Sequence, residues 1–299
     1  VPPSTTSDPA GDSGTKSPPT RRTIAVLSAL ARTPRGRTSA ELARECGITT
    51  STCALVLAEL EVDGWVARHD DRRYTLGSGL FGLVHGLRRQ FPLLDRGRDA
   101  LTFLNTRLAA GCSMSRIDDR RLTTVDTVGH GTDGEHAVGQ RFPIDPPFGL
   151  VAMAWRDETT IDSWLREVSP RLDHTDISRY RCVLSAIRER GYGAWRFDEA
   201  HAPLHDRLSS ILASIEPTDR VARRLSTLLT MVTLQSVTHS METDLPVAEF
   251  VVLPIFGPDN QPEYQIEIHL GGRTALSLSE LESALSHAQA LLAPTAGLN

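Results

Sequence analysis

The chain predicts an α+β fold in two domains: an N-terminal winged helix-turn-helix, a linker helix, and a larger C-terminal domain built on an antiparallel sheet. Three observations carry this expectation. Between Thr20 and Leu60, apolar residues recur at helical spacing in short runs broken at Pro34, Gly36 and Gly47. A strand–turn–strand pattern follows at Trp65–Leu76. Beyond Pro92 the strands come in hairpin pairs rather than alternating strictly with helices, and that pattern favours antiparallel pairing. At 299 residues, with 40% apolar and 23% charged residues, each domain can bury its own core. The expected boundaries are a disordered tail over 1–19, a head over 20–77, a linker over 78–92 and a body over 93–299.

The first twenty residues are rich in Pro, Ser, Thr, Gly and Asp and lack the apolar centre of a signal peptide. No run of about 18 apolar residues occurs, so no membrane-spanning helix is expected. Cys46, Cys53, Cys112 and Cys182 have no paired or zinc-type spacing, and read as free, buried thiols of a reducing cytoplasm. The net charge is −5, but residues 20–90 hold eleven arginines against seven acids. A basic head on an acidic body suits a nucleic-acid-binding module attached to something else.

In the first helix, Thr20–Arg32, the inward face is expected to hold Ile24, Leu27, Leu30 and Ala31. Thr38 or Ser39 can cap the second helix, whose apolar residues are Leu42, Ala43 and Cys46. Gly47 supplies the turn and Ile48 plugs the core. Thr49 or Thr50 can cap the third helix, where Cys53, Val56, Leu57 and Leu60 form the inward stripe. The opposite stripe is Ser51, Leu55 and Ala58. Recognition helices read bases chiefly from their first turns. Thr49, Thr50, Ser51 and Thr52 place four hydroxyls there, suited to phosphates, and Leu55 suits a thymine methyl. Arg72 and Arg73 fall on the hairpin tip or its second strand, and with Arg37 complete the candidate DNA contacts. The alternative is a three-helix protein-interaction domain with a solvated basic face.

These residues resemble the N-terminal domain of the IclR family of bacterial transcriptional regulators. The resemblance rests on Ser51-Thr52 opening the recognition helix, Leu60–Val66 as an "L-x-x-x-G-[YW]-V" exit, and Arg73–Gly77 as an "R-Y-x-L-G" wing end. It continues through Gly139–Pro143 with Phe148–Ala154, through Ile187–Tyr192 ("I-R-x-x-G-[YF]"), and through Leu253–Phe256 ("A-P-[VI]-F"). The chain departs from the family pattern at Leu55, where an arginine is usual, at Pro147-Phe148 in place of a Thr-Ala pair, and at Leu150 in place of lysine.

The linker, Ser78–Arg89, carries Leu80, Leu83, Val84 and Leu87 on one face, with Gly82 and Gly86 four apart. The resemblance implies that this helix helps pair two subunits into a homodimer or dimer of dimers. The other reading is an ordinary intrachain core helix. In the body, helices are expected at Leu93–Ala109 (with Leu94, Leu101, Leu104 and Leu108 inward), Phe148–Trp155, Asp157–Val168, Arg179–Arg190, His205–Ile215, Asp219–Val237 and a last one opened by a Ser279–Glu282 capping box. Hairpins are expected at Cys112–Val128 and Glu249–Leu270.

The resemblance implies a GAF/PAS-like effector-binding domain, with a small organic molecule between sheet and loops. The N-terminus of the helix near Gly149 would suit a carboxylate, and an apolar lining a more apolar metabolite. Candidate lining residues are Phe148, Gly149, Leu150, Met153, Trp195 and Leu253, each of which also reads as ordinary core.

No catalytic constellation is evident. Gly11-Asp12-Ser13-Gly14 sits in the expected tail without a base. His130, Asp133, Glu135 and His136 lack a metal-binding register. No phosphate-cradling glycine loop occurs, and no cofactor or metal is expected. The sequence therefore reads as a cytoplasmic regulator, repressor or activator, that binds double-stranded DNA under control of a small effector, and not as an enzyme. The alternative is a ligand-binding protein that acts through protein contacts, its head having lost specific DNA reading with the arginine at Leu55.

Overall fold

The computed structural model describes residues 17–118, 121–129, 138–144, 149–168, 174–195, 250–270 and 277–293. These fall into two compact units that divide between Phe91 and Pro92.

The first unit opens with α1 (Pro18–Ala31). The helix starts two residues earlier than its apolar pattern suggested, inside the stretch expected as tail. Proline suits a helix's first turn, where its missing N–H is not needed. Its buried face is Val26, Ala29 and Leu30, with Leu27 packed alongside. Ile24 and Ala31, expected inward, are exposed. Ile24 lies two residues before Val26, about 200° around the helix. β1 (Arg37–Thr38) leads into α2 (Ser39–Glu45), where Thr38 and Glu41 make a reciprocal capping box. Gly47, at φ +64°, turns the chain into α3 (Thr50–Val62), and Thr49 is its N-cap. β2 (Val66–Arg68) and β3 (Arg73–Leu76) form the wing. β3 is the centre of a three-stranded sheet because β1 pairs on its other side, Arg37 opposite Tyr74. That two-residue strand carries no periodicity of its own. A single 3₁₀ turn (Ser78–Leu80) then starts α4 (Phe81–Gln90), which buries no side chain within the chain.

The joint between wing and linker is a backbone-on-backbone contact. The Gly77 N–H donates to the Trp65 carbonyl and the Gly79 N–H to the Gly64 carbonyl. A Cβ on Gly77 would stand 2.2 Å from the Gly64 oxygen, and one on Gly79 2.4 Å from the Asp63 oxygen. Only glycine fits at either position.

The second unit is a six-stranded antiparallel sheet in the order β6-β5-β4-β9-β8-β7. Its elements are α5 (Leu93–Leu108), β4 (Gly111–Ile117), β5 (Arg121–Val128), β6 (Arg141–Pro143), α6 (Leu150–Met153), α7 (Glu158–Val168), α8 (His174–Arg190), β7 (Gly193–Trp195), β8 (Phe250–Phe256), β9 (Pro262–His269) and α9 (Leu278–Leu292). α5 and α9 cover one face, over Cys112, Met114, Val251, Leu253, Ile255, Ile266 and Ile268. α6, α7 and α8 share a second core with Ile117, Leu122, Trp195 and Val252.

α6 is a single turn, not the helix expected over 148–155. All four of its residues are buried, and the Arg188 guanidinium on α8 donates to the Ala154 carbonyl just beyond it, at 2.7 Å. The capping box of α9 is Ser277 with Glu280, two residues before the expected pair. β6 and β7, three residues each, were not legible in the pattern. Cys53 and Cys112 are buried, but Cys46 is half-buried and Cys182 exposed. The expected helices over 205–215 and 219–237, most of the 129–134 loop, the 130–136 His/Asp/Glu group, the 11–14 segment and Phe148 lie outside the described residues. Among the described residues no helix is long and apolar enough to cross a membrane.

Candidate functional site

The periodicity of α3 produces one buried and one bare face. Cys53, Leu57 and Leu60 are buried and Val56 packs beside them, while Ser51, Leu55 and Ala58 face solvent. Leu55 is 71% exposed, an unusual setting for leucine on a helix with its own core stripe. The Thr49 hydroxyl accepts from the Thr52 backbone N–H at 3.2 Å and lies 3.0 Å from Ser51 Oγ and 2.8 Å from Thr52 Oγ1. Thr49 is therefore committed to the cap. Thr50 and Ser51 are exposed, and Thr52 half so. α3 contains no basic residue, and its acids, Glu59 and Glu61, lie in the second half.

The three candidate arginines separate. Arg73 is structural: its Nη1 donates to the Gly36 carbonyl at 3.0 Å and to Glu41 Oε2 at 3.3 Å. Arg37 pairs with Glu45 at 3.1 Å and donates to the Thr33 hydroxyl. The Thr38 backbone N–H, then the Thr38 hydroxyl and the Arg73 and Arg37 guanidinium groups, hold the Glu41 carboxyl below its ordinary range against partial desolvation. The wing is thus tied to the start of α2. Arg72, at φ +63° on the hairpin tip, is exposed, and its guanidinium has no partner among the described residues. It can approach a polyanion without breaking an internal contact.

This separation gives a paired expectation. Arg72→Ala leaves the melting of the head unchanged and reduces the salt dependence of DNA binding by about one counter-ion. Arg73→Ala lowers the head's Tm, because Gly36 and Glu41 lose their donor. Circular-dichroism melts and DNA titrations at several salt concentrations check both.

In the second unit, Gly149, Leu150, Met153 and Trp195 gather on the α6 side of the sheet. A Cβ on Gly149 would stand 2.8 Å from Ile144 Cγ2, and the other three are buried in the second core. Leu253 does not join them. It faces the α5/α9 core, because side chains alternate along β8 and the Trp195 partner on that strand is Phe250. A one-turn α6 also supplies little helix dipole for a carboxylate.

The same sheet face holds polar residues that the pattern did not single out. Ser113 and Ser115 on β4, Thr124 on β5 and Gln265 on β9 are all buried, with Glu267 partly so. Alternating polar residues on a strand ordinarily read as a solvated face. Nothing local in the sequence signals that this face is covered.

Comparison with known proteins follows this geometry. Residues 17–73 match the sequence profile of the MarR family. No curated protein matches the chain by sequence. Among solved structures, an IclR transcriptional regulator from Alicyclobacillus acidocaldarius is 21% identical, with a TM-score of 0.52 over 93% of this chain and 98% of that one. The Thermotoga maritima IclR is 16% identical, TM-score 0.55, over 91% and 96%. An IclR homolog from Microbacterium hydrocarbonoxydans, complexed with 4-hydroxybenzoate, is 17% identical, TM-score 0.54, over 92% and 98%. The described residues share the fold of these structures: a winged helix-turn-helix unit and an antiparallel-sheet unit.

Proposed function

We propose that the chain is a homodimeric, DNA-binding transcriptional regulator of the IclR type, working in a bacterial cytoplasm, whose operator binding responds to a small organic effector held by the second unit. It performs no catalysis in this reading. The observation that carries the proposal is the bare face of α3. A capped helix with a buried apolar stripe presents Ser51, Leu55 and Ala58 outward, beside a wing whose tip offers Arg72. In this arrangement Thr50 and Ser51 meet the phosphates and base edges at the groove, Leu55 meets a thymine methyl, and Arg72 holds the backbone.

Pairing follows from the duplex itself, since two half-sites about one turn apart are read by a two-fold dimer. The bare apolar stripe of α4 is the surface that suits a second copy, with Gly82 and Gly86 leaving open space beside it. The Microbacterium relative's 4-hydroxybenzoate complex supports a small organic effector. Control requires that the effector bind one arrangement of the dimer better than the other.

The test is a gel shift with DNA from upstream of the chain's own gene across a salt series. Steep loss of affinity with salt, with preference for one site retained at each salt, is the expected result. Binding with the same salt slope but no site preference would favour the rival reading, a ligand-binding protein that works through protein contacts.

A further inference from the structure

We propose that the second unit takes its ligand by an ammonium group, seated on a strip of hydrogen-bond acceptors formed by Glu267, Gln265 and Ser113 at the centre of the sheet. This rests on the reading of that unit as effector-binding, and gives the effector's chemical class.

The strip is built by register. Ser113 stands opposite Glu267 and Ser115 opposite Gln265 across β4 and β9, and Ser115 stands opposite Thr124 across β4 and β5. Directly opposed residues of antiparallel strands share a face, about 5 Å apart at Cβ. Gln265 and Glu267, two apart on β9, share it as well.

The hydrogen bonding leaves buried polar atoms on this face without partners. Gln265 Nε2 donates to Glu267 Oε1 at 2.6 Å. A carboxylate only accepts, so the amide must turn its nitrogen towards it, and Gln265 Oε1 is left without a partner. Ser113 Oγ has none either, and its hydroxyl can accept as well as donate. Gln265 is 2% exposed and Ser113 1%. Glu267 makes no ion pair among the described residues, and burial pushes its carboxyl up, with the Gln265 bond opposing. His269, next on the same face, sets its ring edge-on to Phe250 at 5.0 Å. No Lys or Arg on β4, β8 or β9 shares this strip's pairings with Glu267, whose neighbours there are Ser113 and Val252.

Buried polar atoms without partners are costly, and a carboxylate without a counter-charge in apolar surroundings more so. An ammonium carries three donors and no acceptor, matching the carboxylate, the amide oxygen and the serine hydroxyl. A carboxylate-bearing ligand would meet Glu267 instead. Val252 opposite Glu267, with Leu150, Met153 and Trp195 in the same core, makes the surroundings apolar, so the ammonium is carried on a hydrocarbon body.

The experiment uses the full chain without DNA. Its melting is followed with n-butylammonium chloride, sodium butyrate and n-butanol at equal concentration and ionic strength. The expected result is stabilisation by butylammonium beyond both isosteres, with apparent binding at least about tenfold weaker in Glu267→Gln and weakened in Ser113→Ala. Ser113→Ala serves as the informative variant if Glu267→Gln does not melt cooperatively. Stabilisation by butyrate equal to or above that by butylammonium overturns the proposal. So does full retention of the butylammonium effect in whichever of these variants melts cooperatively, or no effect of butylammonium at all. Because DNA is absent, failure of the gel-shift test leaves this result standing. A gel shift that responds to butyrate but not to butylammonium keeps the regulator and removes the ammonium site.

Discussion

Arginine at both Leu83 and Leu87 is expected to split the proposed dimer into monomers and to weaken its hold on the proposed two-half-site operator by roughly 10²–10⁴-fold, the usual value of a second tethered contact. The physical ground is that α4 has no use for these side chains within its own chain. Phe81 is 72% exposed, Leu83 51%, Val84 42% and Leu87 48%, and the helix buries nothing intramolecularly. Leucine at such positions gains nothing from a lone chain's folding, so replacing it costs the monomer little. Paired against the same helix of a second subunit, each arginine would place a charge in an apolar seam opposite its own copy. Sedimentation equilibrium measures the association and a gel shift the affinity. A double variant that remains dimeric with unchanged operator binding would assign pairing to another surface.

The second large effect is expected at Gly77. Valine there drives its Cβ into the Gly64 carbonyl, 2.2 Å away, and both sides of the clash are backbone that cannot rotate aside. Overpacking of this kind costs about 3 kcal/mol, which for a domain of this size lowers Tm by roughly 15 °C. Gly47→Ala is the control. No atom lies within 4 Å of a Cβ built there, and only its φ of +64° is strained, worth about 1 kcal/mol. A thermal melt of the head's helical signal separates the two. Equal losses would show that the close approach at Gly77, whose backbone is ordinary extended chain, relaxes around a side chain.

The head was almost fully legible because its information is local. Three helices with 3.6-residue periodicity, a capping pair at Thr38–Glu41 and a glycine turn at Gly47 each speak through neighbours in sequence. What escaped was non-local. β1 exists only because Tyr74 and Arg73 lie opposite it. Arg73 looked like a free wing cation, yet its partners Gly36 and Glu41 are more than thirty positions away. In the body, the apolar run after Phe148 suggested a full helix where one turn is buried on every side, since a uniformly apolar stretch has no periodicity to set its length. Leu253 went to the wrong face for a related reason. Its parity along β8 has meaning only once Phe250 is known to pair with Trp195. The acceptor strip stayed hidden because Ser113, Ser115, Gln265 and Glu267 have the alternation of a wet strand, and only the covering core makes the first three dry.

An absence within α3 has a longer reach. Its solvent face offers hydroxyls and a leucine but no positive charge, while an exposed cation sits on a separate hairpin at Arg72. In the proposed reading, choosing a target and gripping it thus reside in different pieces of chain. Over evolutionary time, such a head can be retargeted by exchanges within one helical turn, its purchase on the sugar-phosphate rails left intact.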